Sequence, residues 1–357
     1  MKIKINTLDK PDKDWDRRVL EVGKNIYQTT TYAEIQEKCL NTEIEYLVAY
    51  QGSKIVGQLI VFYSPRFAKY LNKGNMKTFK FFSKHFKTYT FIEGPIIFDE
   101  TLKKEIYSSF LDYLDSNKQN CYMAKDLVLP IKEDKEIYKL FYDRGFFSDK
   151  WGTVLIDVQL SLDVLWKNIG KKRRNLVRKG EKSGLVMEEV NTKKNYEKVV
   201  AIIKEKSKRN NVFHYNKKYY DNFFKILQYN GIGKVWVAKK DGIILSTITT
   251  YLFGKNVCQT DVAHSDYCIK NKIPATDFLE WKIIKFANEN GYNTYDLSGI
   301  RPKSKEEKHM SMKHYKTTWG GEEIHFPYFS KTYSKSKQFI LNLLNFSKNW
   351  LVRTSSN

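Results

Sequence analysis

The sequence is poor in cysteine, in long apolar runs and in acidic residues, and each shortage excludes a class of protein. Its 357 residues include four cysteines, which lie far apart and form no Cys-x-x-Cys pair. A disulfide framework and a metal site are therefore both disfavoured. No stretch approaches the roughly 18 apolar residues of a membrane-spanning helix. The N-terminal residues MKIKINTLDKPDKDW lack the apolar centre of a secretion signal. We predict a cytoplasmic protein with reduced thiols and no bound metal.

Acidic residues are outnumbered by basic ones. The chain has 62 lysines and arginines against 40 aspartates and glutamates, which gives a formal net charge of +22. Such an excess favours a polyanionic partner or peripheral contact with an anionic membrane surface, although the codon preference of a low-GC genome would produce part of it. The length and the 41% of apolar residues predict two folded domains rather than a disordered chain.

Two segments predict β-hairpins and resemble each other, namely 46-YLVAYQGSKIVGQLIVFY-63 and 235-VWVAKKDGIILSTITTYLF-253. A strand, a helix, a strand and a helix are predicted after each hairpin. After the first hairpin they cover 89–98, 102–116, 121–129 and 134–144, and after the second 257–263, 274–290, 293–299 and about 306–317. The repeated order predicts two copies of one α/β unit, joined near residues 150–162.

Additional helices are predicted between and after the two copies. Residues 163–182, 196–209 and 217–229 each have the apolar spacing of a helix. Residues 335–353 combine an apolar stripe with flanking lysines, which predicts a basic amphipathic helix. Such a helix either lies on a membrane surface or packs against its own domain.

The repeated order resembles that of an acyl-CoA N-acyltransferase (GNAT) domain. Four pieces of sequence further resemble the FemABX family of peptidoglycan-bridge aminoacyltransferases, in which two GNAT-like domains stand in tandem. These are 28-QTTTYAEIQEK-38, 171-KKRRNLVRKGEKSG-184, 291-GYNTYDLSGI-300 and 315-YKTTWGG-321, the last of which usually reads Phe-Lys-x-x-Phe-Gly-Gly in the family. The resemblance covers about residues 20 to 330.

This resemblance implies an α/β fold of two tandem GNAT-like domains, each with a mixed central sheet flanked by helices, followed by a C-terminal amphipathic helix. The expected boundaries are 1–155, 156–330 and 331–357. The implied activity is the transfer of an amino acid from aminoacyl-tRNA to an amine of a cell-wall (peptidoglycan) precursor, which is either nucleotide-linked or lipid-linked. The alternative is a GNAT-fold N-acyltransferase that uses a different acyl donor on another envelope or capsule precursor.

Neither copy contains the glycine-rich turn that holds the pyrophosphate of coenzyme A in GNAT enzymes. The corresponding segments are 264-HSDYCIKNKIPATDF-278 and 95-PIIFDETLKKE-105, and both lack glycine. We therefore expect no cofactor, and a donor such as tRNA that binds through its phosphates. A protein that only binds nucleic acid is disfavoured, because two acyltransferase-like units would be an unusual scaffold for that role.

The ester of an aminoacyl-tRNA is already activated, so the enzyme mainly positions the amine and stabilises the oxyanion. Lys316 matches the family's motif lysine and is the candidate for placing an ammonium beside the ester carbonyl. Tyr315 would pack against the terminal adenosine or the ester, and Trp319 is assigned to substrate binding in the same motif. The alternative for Lys316 is a solvated lysine on a helix surface.

Three aspartates near the ends of the second copy's strands are candidates for accepting the proton of the attacking amine, namely Asp261, Asp266 and Asp296. Asp296 occupies the family-like position, and its alternative role is to cap the following turn. Asp261 and Asp266 are also assigned to substrate binding.

Further substrate-binding candidates come from the resemblance and from the basic run. His214 resembles a family site for the nucleotide-linked precursor, but Tyr215 follows where the family has a basic residue, which favours a lipid-linked or otherwise different acceptor. Lys38 lies near a family residue that contacts phosphate, with a solvated lysine as the alternative. In the basic run, the predicted phosphate ligands are Lys172, Arg173, Arg174 and Arg178, against the alternative of a solvated face.

Overall fold

The structure, a computed structural model, describes residues 2–23, 25–65, 86–117, 121–130 and 134–342. The helices are α1 (Trp15–Arg18), α2 (Thr30–Leu40), α3 (Lys103–Ser116), α4 (Lys135–Asp143), α5 (Leu162–Asn168), α6 (Lys171–Lys182), α7 (Lys193–Arg209), α8 (Lys217–Asn230), α9 (Asp266–Lys270), α10 (Ala275–Glu289) and α11 (Glu307–Thr317). The strands are β1 (Ile3–Leu8), β2 (Glu43–Gln51), β3 (Lys54–Pro65), β4 (Lys87–Thr90), β5 (Ile96–Ile97), β6 (Met123–Val128), β7 (Phe147–Asp157), β8 (Val186–Glu189), β9 (Gly233–Lys240), β10 (Ile243–Phe253), β11 (Asn256–His264), β12 (Thr294–Asp296) and β13 (Glu322–Thr332).

The chain divides into two compact units. The first contains residues 1–15, 36–149 and 327–357, and the second contains residues 16–35 and 150–326. Each unit has its own hydrophobic core. Within both units the order of elements is a hairpin, a strand, a helix, a strand and a helix, as the sequence predicted.

In the first unit, the strand order is β1-β2-β3-β4-β6-β13, and β5 pairs with β3. The β4–β6 pair is parallel and the other pairs are antiparallel. Helix α3 repeats apolar residues at helical spacing and buries Ile106, Phe110 and Leu114 in the core. Phe141 of α4 stacks on Phe329 with ring centroids 4.5 Å apart, which fixes this helix over the end of the sheet.

In the second unit, the strand order is β7-β12-β11-β10-β9-β8. Strands β9 and β10 form the predicted hairpin, in which Lys240 pairs with Ile243 across a turn that contains Gly242. Nine of the 15 residues of helix α10 are buried, and the helix packs against α6 and the sheet. Helices α7 and α8 begin at Thr192 and Asn216, whose side chains accept hydrogen bonds from backbone N–H groups of the first turn.

The prediction of one helix over residues 163–182 is wrong, because α5 and α6 are separated at Ile169 and Gly170. Ile169 has an extended backbone, with ψ of 135°, and its side chain is buried in the core. The Gly170 N–H donates to the carbonyl oxygen of Thr318 at 2.9 Å. Burial of Ile169 and this hydrogen bond stabilise the break, in place of the backbone hydrogen bonds that a continuous helix would form at these residues.

Two predicted strands are shorter than the sequence indicated. The strand predicted over 89–98 is interrupted, because β4 ends at Thr90 and β5 covers only two residues. The strand predicted over 293–299 ends at Asp296, and the chain turns at Ser298, whose φ is +65°.

The end of the described chain is helical from residue 335 to residue 342. Leu341 of this segment is buried in the first unit against Phe86 and Tyr122, whereas Phe339 and Ile340 are exposed. The rest of the predicted amphipathic helix, residues 343–353, lies outside the described residues. None of the described helices combines the length and the apolar character needed to cross a membrane.

Candidate active site

Strands β11 and β12 diverge within the second unit. They pair in parallel over three residues each, from Asn256 opposite Thr294 to Cys258 opposite Asp296. Beyond this point β11 remains paired with β10, while Leu297 N–H donates to the carbonyl oxygen of Val154 in β7. The sheet therefore opens between residues 259–264 and 297–300. The carboxyl ends of parallel strands at such a point are where open α/β sheets bind ligands.

Lys316 lies at the β12 side of this opening. Its Nζ donates to the carbonyl oxygens of Ser298 at 3.1 Å and Gly299 at 2.9 Å. Two of the three ammonium N–H groups are thereby directed at the backbone, and the third can reach a ligand. Burial lowers the pKa of Lys316, while the nearby carboxylates of Asp296 and Glu280 act in the opposite direction. The Lys316 ammonium is thus held in a fixed position with a weakened hold on its proton.

The Trp-Gly-Gly sequence after α11 is required by close packing. Gly320 has a φ of +82°, and a Cβ atom there would lie 2.7 Å from the backbone oxygen of Asn168. A Cβ atom on Gly321 would lie 2.6 Å from the carbonyl oxygen of Leu155. Only glycine allows the chain to pass the end of α5 and strand β7 at this distance. The two glycines therefore fix the position of α11, which carries Lys316.

Asp296 is engaged within the protein. Its Oδ1 accepts hydrogen bonds from the backbone N–H of Ser298 at 2.6 Å and from the hydroxyl of Thr153. Burial raises the pKa of Asp296, and these two hydrogen bonds oppose the change. The carboxylate therefore caps the turn that presents the carbonyl oxygens to Lys316.

A buried carboxyl group that the sequence prediction missed lies beside this turn. Glu280 of α10 is 0% exposed. Its Oε1 accepts from the Tyr295 hydroxyl at 2.6 Å, and its two oxygens accept from Gln259 Nε2 at 3.0 and 3.1 Å. Burial raises the pKa of Glu280 to about 7, against the effect of these hydrogen bonds and of the Lys316 charge. A sequence signal for it existed, because Asp277 and Glu280 are three residues apart in a helix of otherwise mostly apolar residues.

Arg173 joins three elements around Tyr315. Its Nη1 lies 2.7 Å from Asp277 Oδ1, and its Nε donates to Thr318 Oγ1 at 3.2 Å. Its guanidinium carbon lies 4.3 Å from the centre of the Tyr315 ring. The side chains of Arg173 and Asp277 are 14% and 12% exposed, so this ion pair is largely removed from water. Arg173 therefore links α6 and α10 to the end of α11.

Tyr315 and Trp319 pack edge to face, with ring centroids 6.2 Å apart. The Tyr315 hydroxyl and the Trp319 indole N–H are buried, and neither makes a hydrogen bond of normal geometry within the described chain. Buried polar atoms of this kind are uncommon and mark positions that a water molecule or a ligand group can satisfy. The Tyr315 hydroxyl and the Trp319 indole N–H are two such positions, at the end of α11 and just after it.

The other residues of the basic run serve different contacts. Arg174 Nη1 donates to the carbonyl oxygen of Lys167 at 2.8 Å and so caps the end of α5. The guanidinium carbon of Arg178 lies 5.3 Å from the centre of the Trp166 ring. Lys172 is exposed. It lines a surface depression of about 560 Å³ with Lys171, Asn175, Leu176 and Lys179.

The remaining candidates lie elsewhere. Asp261 is paired with Lys206, and Asp266 is paired with Arg209. Asp261 and Tyr215 line one aromatic pocket, in which Tyr215 stacks on Tyr219 with ring centroids 3.9 Å apart. His214 is exposed on the same segment, and Lys38 is exposed on the part of α2 that belongs to the first unit. In the described ranges, no three His, Cys, Asp or Glu side chains converge in a way that could bind a metal ion.

The chain has a tandem GNAT-like fold. The crystal structure of FemX matches it with a TM-score of 0.70 at 14% identity, over 95% of this chain and 99% of FemX. A tandem GNAT protein from the clavulanic acid biosynthesis pathway matches with a TM-score of 0.57 at 9% identity, over 94% and 100% of the two chains. The C-terminal domain of a putative lysylphosphatidylglycerol synthetase from Agrobacterium fabrum gives 0.56 at 11% identity, over 94% and 96%.

No protein-family model and no curated protein matches the sequence. The structural matches confirm the predicted fold class and its FemABX-like tandem arrangement. At these identities the similarity is one of fold.

Proposed function

We propose that this protein is an aminoacyltransferase that moves an amino acid from aminoacyl-tRNA to an amine of a peptidoglycan precursor. The observation that carries the proposal is the Lys316 ammonium, held on two backbone carbonyls where β11 and β12 diverge. The fold shared with FemX and with a putative lysylphosphatidylglycerol synthetase supports it. We place the enzyme in the cytoplasm, with the exposed side of its C-terminal segment, which includes Phe339 and Ile340, in contact with the anionic membrane surface.

The proposed chemistry needs one proton carrier and one oxyanion stabiliser. The acceptor amine attacks the ester carbonyl carbon, the carbon–oxygen bond to the ribose 3′-oxygen breaks, and an amide forms. One proton leaves the amine and one joins the 3′-oxygen, so the reaction is balanced. The Lys316 ammonium would stabilise the oxyanion through its third N–H. Because burial lowers its pKa, Lys316 would also give a proton to the 3′-oxygen and recover one from the amine.

The donor is inferred from the segment between β11 and α10. In CoA-dependent GNAT enzymes, backbone N–H groups at the corresponding helix N-terminus hold a pyrophosphate. Here the first turn of α10 contains Asp277, whose carboxylate is paired with Arg173. The segment also contains no glycine, so it lacks the turn whose backbone N–H groups hold the pyrophosphate in those enzymes. The exposed lysines of the surface depression on α6 offer an alternative contact for the phosphates of a tRNA.

Donor dependence tests the proposal. The full-length protein is incubated with an amine-bearing cell-wall precursor and with either labelled aminoacyl-tRNA or labelled acyl-CoA. We expect label in the precursor only with aminoacyl-tRNA, and none after ribonuclease treatment of the donor. Transfer from acyl-CoA, or transfer that survives ribonuclease, would show that the donor assignment is wrong and would favour an N-acyltransferase acting on another envelope precursor.

The role of Lys316 is tested by the Lys316→Met variant. We expect a loss of turnover of about a hundredfold, the size seen when one oxyanion donor is removed. The matched control is Lys308→Met, because Lys308 lies on the same helix and is exposed. Full turnover in Lys316→Met would remove the catalytic assignment of this residue.

A further inference from the structure

The chain after β12 forms a β-bulge against β7. Asp296, the last residue of β12, lies opposite Leu155 of β7. The next bridge between the two segments joins Ile300 to Gly152. Three residues on the β12 side therefore face two on the β7 side, one more than a regular ladder would place there. Such an extra residue changes the direction of the backbone groups around it, and bulges are often found next to active sites.

The bulge directs two consecutive carbonyl groups to one ammonium group. In a regular strand, successive carbonyl groups point to opposite sides, so two neighbours cannot both accept from the same donor. Here Ser298 has a φ of +65°, and its carbonyl oxygen and that of Gly299 lie 3.1 and 2.9 Å from Lys316 Nζ. A non-glycine residue adopts this φ at a cost, and the contacts around it must hold it there. The position of the ammonium therefore depends on what supports the bulge.

Trp151 of β7 packs directly against the bulge. A Cβ atom on Gly299 would lie 2.5 Å from Trp151 Cζ2 and 2.8 Å from Trp151 Nε1. The indole therefore occupies the space that any side chain at residue 299 would need, and only glycine allows this contact. The guanidinium carbon of Arg301 lies 5.5 Å from the centre of the same ring. The ring thus packs against residues on both sides of the bridge at Ile300.

The position of Trp151 is not explained by the hydrophobic core. The residue is only partly buried. Among the described residues of the second unit, the core includes Val154 and Ile156 of the same strand, and Trp151 is neither a member of this core nor packed against it. Filling the core is therefore not the role of this ring, and its packing against Gly299 gives it a different one.

We propose that Trp151 is a positioning residue for Lys316, because its indole supports the bulge whose two carbonyl groups hold the ammonium. Loss of the ring would leave space beside Gly299, into which the bulge would relax. The carbonyl groups would then diverge, and Lys316 Nζ would lose its fixed position. The catalytic consequence of this support rests on the proposed function, in which the ammonium stabilises the oxyanion. The coupling between Trp151 and Lys316 does not depend on that function.

A double-mutant cycle of stability tests the coupling without any substrate. The unfolding equilibrium constant of the full chain is measured by denaturant titration for the unmodified protein, Trp151→Ala, Lys316→Met and the double variant. We expect the effect of Lys316→Met on this constant to differ about fivefold between the unmodified and the Trp151→Ala backgrounds, because residues that share a contact network couple. The matched cycle uses Lys308→Met, an exposed lysine of the same helix, whose effects should agree within about twofold. An effect of Lys316→Met that is the same in both backgrounds would overturn the inference.

A second cycle measures turnover with labelled aminoacyl-tRNA. Trp151→Ala should lower kcat about thirtyfold and leave KM unchanged, because a displaced ammonium no longer meets the oxyanion. Trp151→Phe keeps a flat ring beside Gly299 and should stay within about threefold of the unmodified protein. In the Lys316→Met background, Trp151→Ala should cause no further loss, since the group through which it acts is gone. A further loss of the same size would show that Trp151 only supports the fold, which would overturn its positioning role.

The two cycles separate this inference from the proposed function. If Trp151→Ala does not fold, as judged by circular dichroism, Trp151→Leu replaces it in both cycles with the same expectations. Coupled stabilities without transfer from aminoacyl-tRNA would contradict only the proposed function. Ribonuclease-sensitive transfer, with independent effects of the two substitutions on stability and turnover, would contradict only the role of Trp151.

Discussion

Replacing Glu280 by glutamine should change how the stability of this protein depends on pH. The carboxyl group of Glu280 is fully buried, and its pKa is raised from 4.5 to about 7 by loss of contact with water. The folded state therefore holds the proton more tightly than the unfolded state. The two states differ in bound protons between these two pKa values, and unfolding becomes easier as the pH rises through that window.

The size of the effect follows from the shift. Each unit of pKa corresponds to about 1.4 kcal/mol at 25 °C, so ionised Glu280 costs the folded state about 3 kcal/mol above pH 7. Glutamine has nearly the same shape and does not titrate. The difference in unfolding free energy between Glu280→Gln and the unmodified protein should therefore move by about 2.5 kcal/mol in favour of the variant from pH 5 to pH 8.

The measurement is denaturant-induced unfolding at several pH values, followed by circular dichroism. Glutamine loses part of the hydrogen bonding to Tyr295 and Gln259, so the variant can be the less stable protein at pH 5. That loss does not depend on pH, and the pH-dependent part remains diagnostic. Glu289→Gln, an exposed position on the same helix, is the control and should show no such dependence. A constant difference in unfolding free energy between Glu280→Gln and the unmodified protein from pH 5 to pH 8 would show that folding does not raise the pKa of Glu280.

Two further predictions concern the contacts that fix α11. Arg173→Lys should lower the unfolding free energy by about 3 kcal/mol, because lysine cannot contact Asp277 and Thr318 together and leaves a buried carboxylate poorly paired. The measurement is a denaturant titration, and an unfolding free energy equal to that of the unmodified protein would contradict this expectation. Gly320→Ala should cost about 2 kcal/mol or more, because the new methyl group meets the backbone at 2.7 Å in addition to the unfavourable φ. Gly184 has a similar φ and open space around it, so Gly184→Ala is the control and should show only the conformational cost of about 1 kcal/mol. Equal melting temperatures for the Gly320→Ala and Gly184→Ala variants would contradict the packing argument.

The sequence predicted the elements whose pattern is local. The hairpin of β9 and β10 has an apolar strand, a turn glycine and a second strand rich in β-branched residues, and α11 ends at the Trp-Gly-Gly motif as expected. The break between α5 and α6 could not be predicted in the same way, because it depends on the burial of Ile169 in the core and on a hydrogen bond to Thr318. Residues 163–182 taken alone have the spacing of a single helix.

The polar side chains of the candidate site were harder to predict than the strands and helices that carry them. Gln259 and Tyr295 contact Glu280 from positions 21 and 15 residues away in the sequence. Arg173 contacts Asp277 and Thr318 at separations of 104 and 145 residues. No local pattern distinguishes an arginine that faces water from one that faces a buried carboxylate. The composition of α10 was the one available signal, because an acidic side chain on the apolar face of a helix requires a partner.

The basic run of α6 shows how one cluster of charge can serve two purposes. Arg173 and Arg174 lie against internal groups, namely a carboxylate and the last carbonyls of α5, whereas the exposed Arg178 lies over the ring of Trp166. A planar guanidinium suits such contacts, because it can donate in several fixed directions at once. Lys171, Lys172 and Lys179 of the same helix line the surface depression, where a mobile point charge is sufficient for phosphate contacts. The positive charge of this helix therefore belongs in part to the architecture of the site, and its exposed lysines and Arg178 stay available to a polyanionic partner.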